Sequence, residues 1–280
     1  MENQSLTVRI QRYWNSSAVS ALAPELIGCY PMGGGGLEEI LYRGYFEAQH
    51  LKRIARFKHT MNVLELGCGN GRWALTLAPL VKHYTAVDFS RPALDIARQN
   101  ISKAGLLNVD VREQSIVGFQ GDRLYDVIYF GGVTQYLQDP EILQILGHLA
   151  PWMKPCTIIV DRSTICYQQR QINEEGPYIS IYRTPRELEH LFFSHGFRKI
   201  YQRRSYRFLR SGLIGRVKNL CPSRFRDWSV IVRRGAPLSF YMLLWITWAE
   251  DLLRPVPWAG GERSHDFFVF SKEGPSHASI

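Results

Sequence analysis

The sequence predicts an α/β fold built on a doubly wound, mostly parallel seven-stranded sheet, and three observations carry that prediction. From Met61 onward, short apolar runs alternate with amphipathic stretches, the rhythm of a parallel sheet covered by helices on both faces. The first run ends in a glycine-rich turn, Gly67-Cys68-Gly69-Asn70-Gly71, and the second ends in an acid, Asp88. In an open parallel sheet both points fall at the carboxyl ends of strands, where such sheets bind ligands.

Before that rhythm starts, residues 1–60 read as an N-terminal helical lid. Pro31 and the run Gly33 to Gly36 break it into two helical stretches, and the second, from Leu37 to Phe57, places Ile40, Leu41, Leu51, Ile54 and Ala55 on a rough helical period. Residues 61–204 form the core. Its strand-like runs lie near 61–66, 83–87, 108–112, 125–130, 156–161 and 197–204, and a seventh lies near 266–271. Helical patterns occupy 71–80, 91–104, 139–150 and 184–195. The last of these opens on Thr184 and Pro185 with Glu187 three residues after the cap, a capping-box pattern.

Between the sixth and seventh strands, residues 205–264 read as a basic and apolar helical insertion, and 265–280 as the last core strand and tail. From Arg198 to Arg234 there are twelve basic residues against one acid, Asp227, so the chain's net charge of +9 is concentrated there. Local charge of that kind points to a partner surface. The apolar run Leu238 to Ala249 that follows is too short for a bilayer span, which needs ~20 residues. A basic stretch followed by a Trp-rich apolar helix suits the surface of an anionic membrane, with contact through 205–253, or a lid packed on the core.

Composition excludes other classes. Hydrophobic residues make up 45% and charged residues 21%, ordinary globular values that argue against a disordered or fibrous chain. Five scattered cysteines, Cys29, Cys68, Cys156, Cys166 and Cys221, show neither paired nor metal-ligand spacing. They imply a reduced, cytoplasmic setting and no metal, and the N-terminus lacks the pattern of a signal peptide.

The chemistry centres on VLELGCGNGRW, residues 63–73. Glycines at 67, 69 and 71 let the backbone turn sharply and approach a ligand closely. The pattern is ExGxGxG, whereas a dinucleotide fingerprint is GxGxxG and presents a helix N-terminus to a pyrophosphate. Glu65 would repel phosphates, and it suits an ammonium or sulfonium; it also suits a purely structural place near a helix start. Asp88 can accept hydrogen bonds from both hydroxyls of a ribose, or cap the helix that opens at Arg91. Together the two acids call for a nucleoside with a positively charged tail.

These residues resemble the class I S-adenosylmethionine-dependent methyltransferases, with matched stretches from about Tyr42 to Lys272. The resemblance implies a Rossmann-like methyltransferase fold and S-adenosylmethionine as cofactor. It assigns Glu65, Gly67, Gly69, Gly71 and Gly131 to the methionine portion, Asp88 to the ribose, and Phe89, Ser115 and Ile116 to the adenine. The family's usual Gly-Asp pair after the third strand is replaced here by Gln114 and Ser115. After the fourth strand, YFGGVTQY is similar to the family's fourth motif, and Tyr136 stands where many members carry a His, which makes it the candidate catalytic residue, although a tyrosine there is more often a wall of the pocket than a general base. Nucleic acid is disfavoured, because FGGV occupies the place where amino-methylating enzymes of nucleic acids carry Asn/Asp-Pro-Pro-aromatic. The expected acceptor is an oxygen or nitrogen of a small molecule or a glycan, including lipid-linked ones. A methyltransferase core that serves only as a membrane- or partner-binding module is the alternative.

Overall fold

The computed structural model describes residues 6–16, 37–206 and 263–272. The predicted insertion at 205–264 and the four-glycine joint therefore fall almost wholly outside the described residues. Two N-terminal helices, α1 (Leu6–Trp14) and α2 (Leu37–Ala55), precede the core. Then come β1 (Asn62–Leu66), α3 (Arg72–Leu77), β2 (His83–Asp88), α4 (Arg91–Lys103), β3 (Val109–Glu113) and β4 (Tyr125–Phe130). After these follow α5 (Asp139–Leu149), β5 (Met153–Cys166), β6 (Gln171–Glu175), β7 (Tyr178–Tyr182), α6 (Pro185–Phe193), β8 (Arg198–Tyr206) and β9 (Arg263–Ser271).

Seven strands form one sheet in the order β3-β2-β1-β4-β5-β9-β8. Neighbours from β3 to β5 are parallel, and β9 inserts antiparallel between β5 and β8. The order reverses direction between β1 and β4, and that switch point is where a crevice opens in a doubly wound sheet.

Strand alternation divides the core in two. Leu64, Leu66, Ile128, Phe130 and Ile159 pack on one face against α5 and α6, with Leu146, Leu149 and Phe192. Val63, Val127, Tyr129 and Val160 face α2, α3 and α4, with Leu51, Leu77, Leu94 and Ala97. Each fully buried aliphatic or aromatic side chain contributes about 1.5–3 kcal/mol relative to exposure.

Three departures from the sequence reading have physical causes in the structure. The predicted helix over 71–80 stops at Leu77 and tightens into a 3₁₀ turn over Ala78–Leu80, because Pro79 has no N–H for the α ladder. Strand β5 runs on to Cys166, since its second half pairs with β9 as far as Cys166 against Arg263. A two-stranded hairpin, β6–β7, adds to the predicted elements; Gly176, at φ 60°, makes its turn, and all of β7 is buried. The capping box on α6 forms as predicted, with Thr184 and Glu187 each accepting from the other's backbone N–H.

Candidate active site

A crevice of about 1170 Å³, counting space continuous with solvent, opens over the carboxyl ends of β1, β2 and β4. Its floor is the turn after β1, where the amides of Gly67 and Cys68 both donate to the Val87 carbonyl, at 2.8 and 3.0 Å. Gly67 sits at φ 79°, and a Cβ there would come within 2.6 Å of Val133 Cγ2. Glycine is therefore required twice over, by backbone conformation and by the loop that follows β4.

Two acids face this space. Asp88, at the end of β2, is buried; its Oδ2 accepts from Gly69 N at 2.8 Å and its Oδ1 from Ser90 N at 2.9 Å. These bonds fix the carboxylate plane, and each oxygen keeps a second lone pair for a ligand hydroxyl. Burial raises the Asp88 pKa, and the backbone amides of Ser90, Gly69 and Phe89 offset part of that rise. Glu65, fully buried in β1, accepts from Tyr84 Oη at 2.9 Å through Oε2, while Oε1 is buried with no hydrogen-bond partner among the described residues. Burial pushes its pKa up to about 8 against the pull of the Tyr84 bond, with the Asp88 charge adding to the rise. A buried carboxylate oxygen without a partner carries a desolvation cost that an incoming cation would relieve.

Helix α1 lies across the crevice, lining it with Thr7, Ile10, Gln11 and Trp14. It is pinned at both ends: Thr7 bonds to Glu141 and Gln138 at 3.2 and 2.7 Å, and Ser90 Oγ donates to the Trp14 carbonyl at 2.9 Å. Trp14 meets Tyr136 edge to face at 4.9 Å between ring centroids.

A family profile described as a methyltransferase domain matches residues 63–156, the segment that builds the turn, both acids and the β4 loop. Over 112 residues the chain is 30% identical to a probable (S)-tetrahydroprotoberberine N-methyltransferase of Papaver bracteatum, covering 39% of this chain and 31% of that protein. It is 29% identical over 93 residues to a ubiquinone biosynthesis O-methyltransferase of Rickettsia felis, covering 32% of this chain and 38% of that protein. The chain thus spans about a third of the length of these curated relatives. Among solved structures, a SAM-dependent methyltransferase of Leishmania major superposes with a TM-score of 0.60 at 16% identity, over 73% of this chain and 78% of that one, a likeness of fold.

The crevice brings together Glu65, Gly67, Gly69, Asp88, Phe89, Ser115, Ile116, Gly131 and Tyr136. Gly71 is not on its wall. A Cβ at Gly71 would meet Ala97 Cβ at 3.1 Å, so this glycine seats the turn against α4. Asp88 does not cap α4, whose N-cap, Ser90, has no side-chain cap bond. Tyr136 is a wall residue: its hydroxyl takes Gln135 Nε2 at 2.9 Å and pairs with Tyr178 Oη at 3.0 Å, and burial raises its pKa to about 12. A phenol held neutral in this way is a poor general base at neutral pH. His50 is stacked on Phe267 and hydrogen-bonded to Tyr201 at 3.1 Å, away from the crevice, with its pKa lowered to about 4 by burial and the nearby arginines.

Residues that sequence reasoning missed also line the crevice: Trp14, Trp73, Ser90, Leu137 and Arg162 among them. Ile10 and Trp14 stand four apart, one helical turn, which is the signal that could have marked the inward face of α1. Among the described residues no helix is long and apolar enough to cross a membrane, and no His, Cys, Asp and Glu group is arranged for a metal ion.

Proposed function

We propose that this chain is an S-adenosylmethionine-dependent methyltransferase acting on an oxygen or nitrogen of a small molecule. The observation that carries the reading is the pairing of two buried acids in one crevice, Asp88 pre-set by two backbone amides and Glu65 with an oxygen that has no partner among the described residues. That pair suits a nucleoside with a cationic tail, and both residues fit the group: diol hydroxyls on Asp88, an ammonium near Glu65. Ser115 and Ile116 would flank the adenine beside Phe89, and Gly67, Gly69 and Gly131 would let the methionine chain lie close to the backbone. When bound, the cofactor supplies a methyl group on a positively charged sulfur. The chain's contribution is alignment and exclusion of water: α1, pinned through Trp14 and Thr7, covers the crevice, and in-line positioning supplies much of the rate for an already activated methyl donor.

N-methylation and O-methylation in the relatives named above support a small-molecule acceptor. The finer proposal is a small-molecule or glycan acceptor, including lipid-linked ones, in a cytoplasmic enzyme that is peripheral at the membrane through 205–253. Its support is the cluster of arginines and the Trp-rich apolar run in that segment. The test of the activity is label transfer from methyl-labelled S-adenosylmethionine to fractionated metabolites, glycans and lipids, with anionic-vesicle flotation alongside. Transfer to a small-molecule fraction is expected. Tight S-adenosylhomocysteine binding with no transfer to any fraction would favour a binding module on an inactive core.

A further inference from the structure

Besides the acids at β2 and β1, the crevice carries two guanidinium groups. Arg162 in β5 and Arg72 at the start of α3 both line it, and they share one carboxylate, Glu47 of α2. Arg162 Nε donates to Glu47 Oε1 at 2.7 Å, and Arg72 Nη2 donates to Oε2 at 3.0 Å. Arginine does not lose its proton in proteins, so this trio of a fully buried acid and two guanidinium groups is net positive. Arg162 is 7% exposed, and its Nη1 makes no hydrogen bond among the described residues. That nitrogen faces Gly132 of the crevice wall, where a Cβ would come within 3.1 Å of it. A nearly buried guanidinium edge without an acceptor is costly, and a ligand oxyanion is the group that best satisfies it.

Sheet order says which part of a ligand this edge meets. The strands run β2, β1, β4, β5, and they carry in turn Asp88, Gly67 just past β1, Gly131 just past β4, and Arg162. A nucleoside with its ribose on Asp88 and its tail along the β1 turn has its reactive end toward β4. Arg162 lies one strand beyond.

We propose that Arg162, supported by Arg72, forms an oxyanion site at the acceptor end of the crevice, and that the methyl acceptor is a small molecule bearing a carboxylate or phosphate. The proposal rests on the nucleoside reading above. An oxyanion could also come from the cofactor's own carboxylate, and the test separates the two.

The full chain is titrated with S-adenosylhomocysteine and with 5′-methylthioadenosine, the same nucleoside without the amino acid, and the S-adenosylhomocysteine-saturated protein is then titrated with inorganic phosphate. Wild type, Arg162→Gln and Arg162→Lys are compared, with thermal melts reporting folding. Arg162→Gln is expected to weaken phosphate binding by about tenfold or more, with Arg162→Lys between, while both nucleosides change by less than about twofold. Should Arg162→Gln weaken S-adenosylhomocysteine about tenfold and spare 5′-methylthioadenosine, the oxyanion is the cofactor's carboxylate and the acceptor assignment is overturned. If wild type binds no phosphate and the variant leaves both nucleosides unchanged, the site itself is overturned. If the variants do not fold, the wild-type phosphate titration decides by itself, saturable binding supporting the site and none overturning it. Failure of wild type to bind either nucleoside overturns the nucleoside reading instead.

Discussion

Glu65→Gln removes one charge from the crevice and keeps the side chain's shape, and pH removes the same charge reversibly. Burial holds the Glu65 pKa up at about 8, so near pH 6.5 the ligand-free protein carries this group protonated. An ammonium set against Oε1 favours the ionised form, and binding then expels a proton. At pH 6.5 close to one proton, ~0.9 or more, should leave per site. Half-titrated at pH 8 and almost fully protonated at pH 6, the group should weaken apparent affinity by on the order of 25-fold across that interval, ~2 kcal/mol, once the half-loss of the ligand's own ammonium at pH 8 is counted. Above pH 8 the ligand's own α-amino group, ordinarily near ~8, loses its charge, so affinity should peak close to there. Calorimetry of S-adenosylhomocysteine in buffers of different ionisation enthalpy counts the protons directly. Glu65→Gln should release almost none and bind with a nearly flat profile between pH 6 and 8. Wild-type binding without proton release, or an unchanged slope in Glu65→Gln, would refute the reasoning. The same shift bears on the free protein: a folded pKa raised from 4.5 contributes stability that is full below 4.5 and lost as pH rises through about 8. Relative to Glu65→Gln, the ligand-free melting temperature should therefore fall across that window.

Asp88→Ala should weaken S-adenosylhomocysteine by ~1–3 kcal/mol, the scale of hydrogen bonds lost from a charged group, and unchanged affinity by calorimetry would contradict the ribose assignment. Gly67→Ala should abolish measurable cofactor binding and lower the melting temperature, because its Cβ meets Val133 at 2.6 Å; a Gly67→Ala, Val133→Ala pair should recover part of the stability but not the φ strain. Trp14→Ala should raise the cofactor off-rate more than it lowers the on-rate, measured by stopped-flow fluorescence, since it removes the ring that packs on Tyr136 over the crevice while the Ser90 bond to the residue-14 carbonyl stays. Tyr136→Phe should change kcat by less than about tenfold, as a phenol held neutral is wall and not base; a loss of ~10²–10⁴ would assign it to proton transfer.

Much of the fold is legible because it rests on local rules. Glycine spacing at 67, 69 and 71 has a steric cause that sequence displays, and the Thr184–Glu187 cap and the β4 run 125–130 are read directly from residue types. What was not legible depends on partners far apart in the chain. Cys166 is strand because Arg263 lies beside it, and β7 is buried because its hairpin packs under α1, through Tyr178 against Tyr13. Arg162 reads in sequence as a charge at a strand end; only its meeting with Glu47, 115 positions earlier, brings it to the crevice. Gly71 illustrates the converse, since its motif position suggests ligand contact while its Cβ direction points at Ala97.

A co-crystal of the full chain with S-adenosylhomocysteine is the most direct test of the nucleoside site. Both ribose hydroxyls are expected within hydrogen-bond distance of the Asp88 carboxylate, the amino group beside Glu65 Oε1, and the adenine between Phe89 and Ile116. A dinucleotide in the crevice, or S-adenosylhomocysteine bound with its ribose away from Asp88, would contradict that assignment.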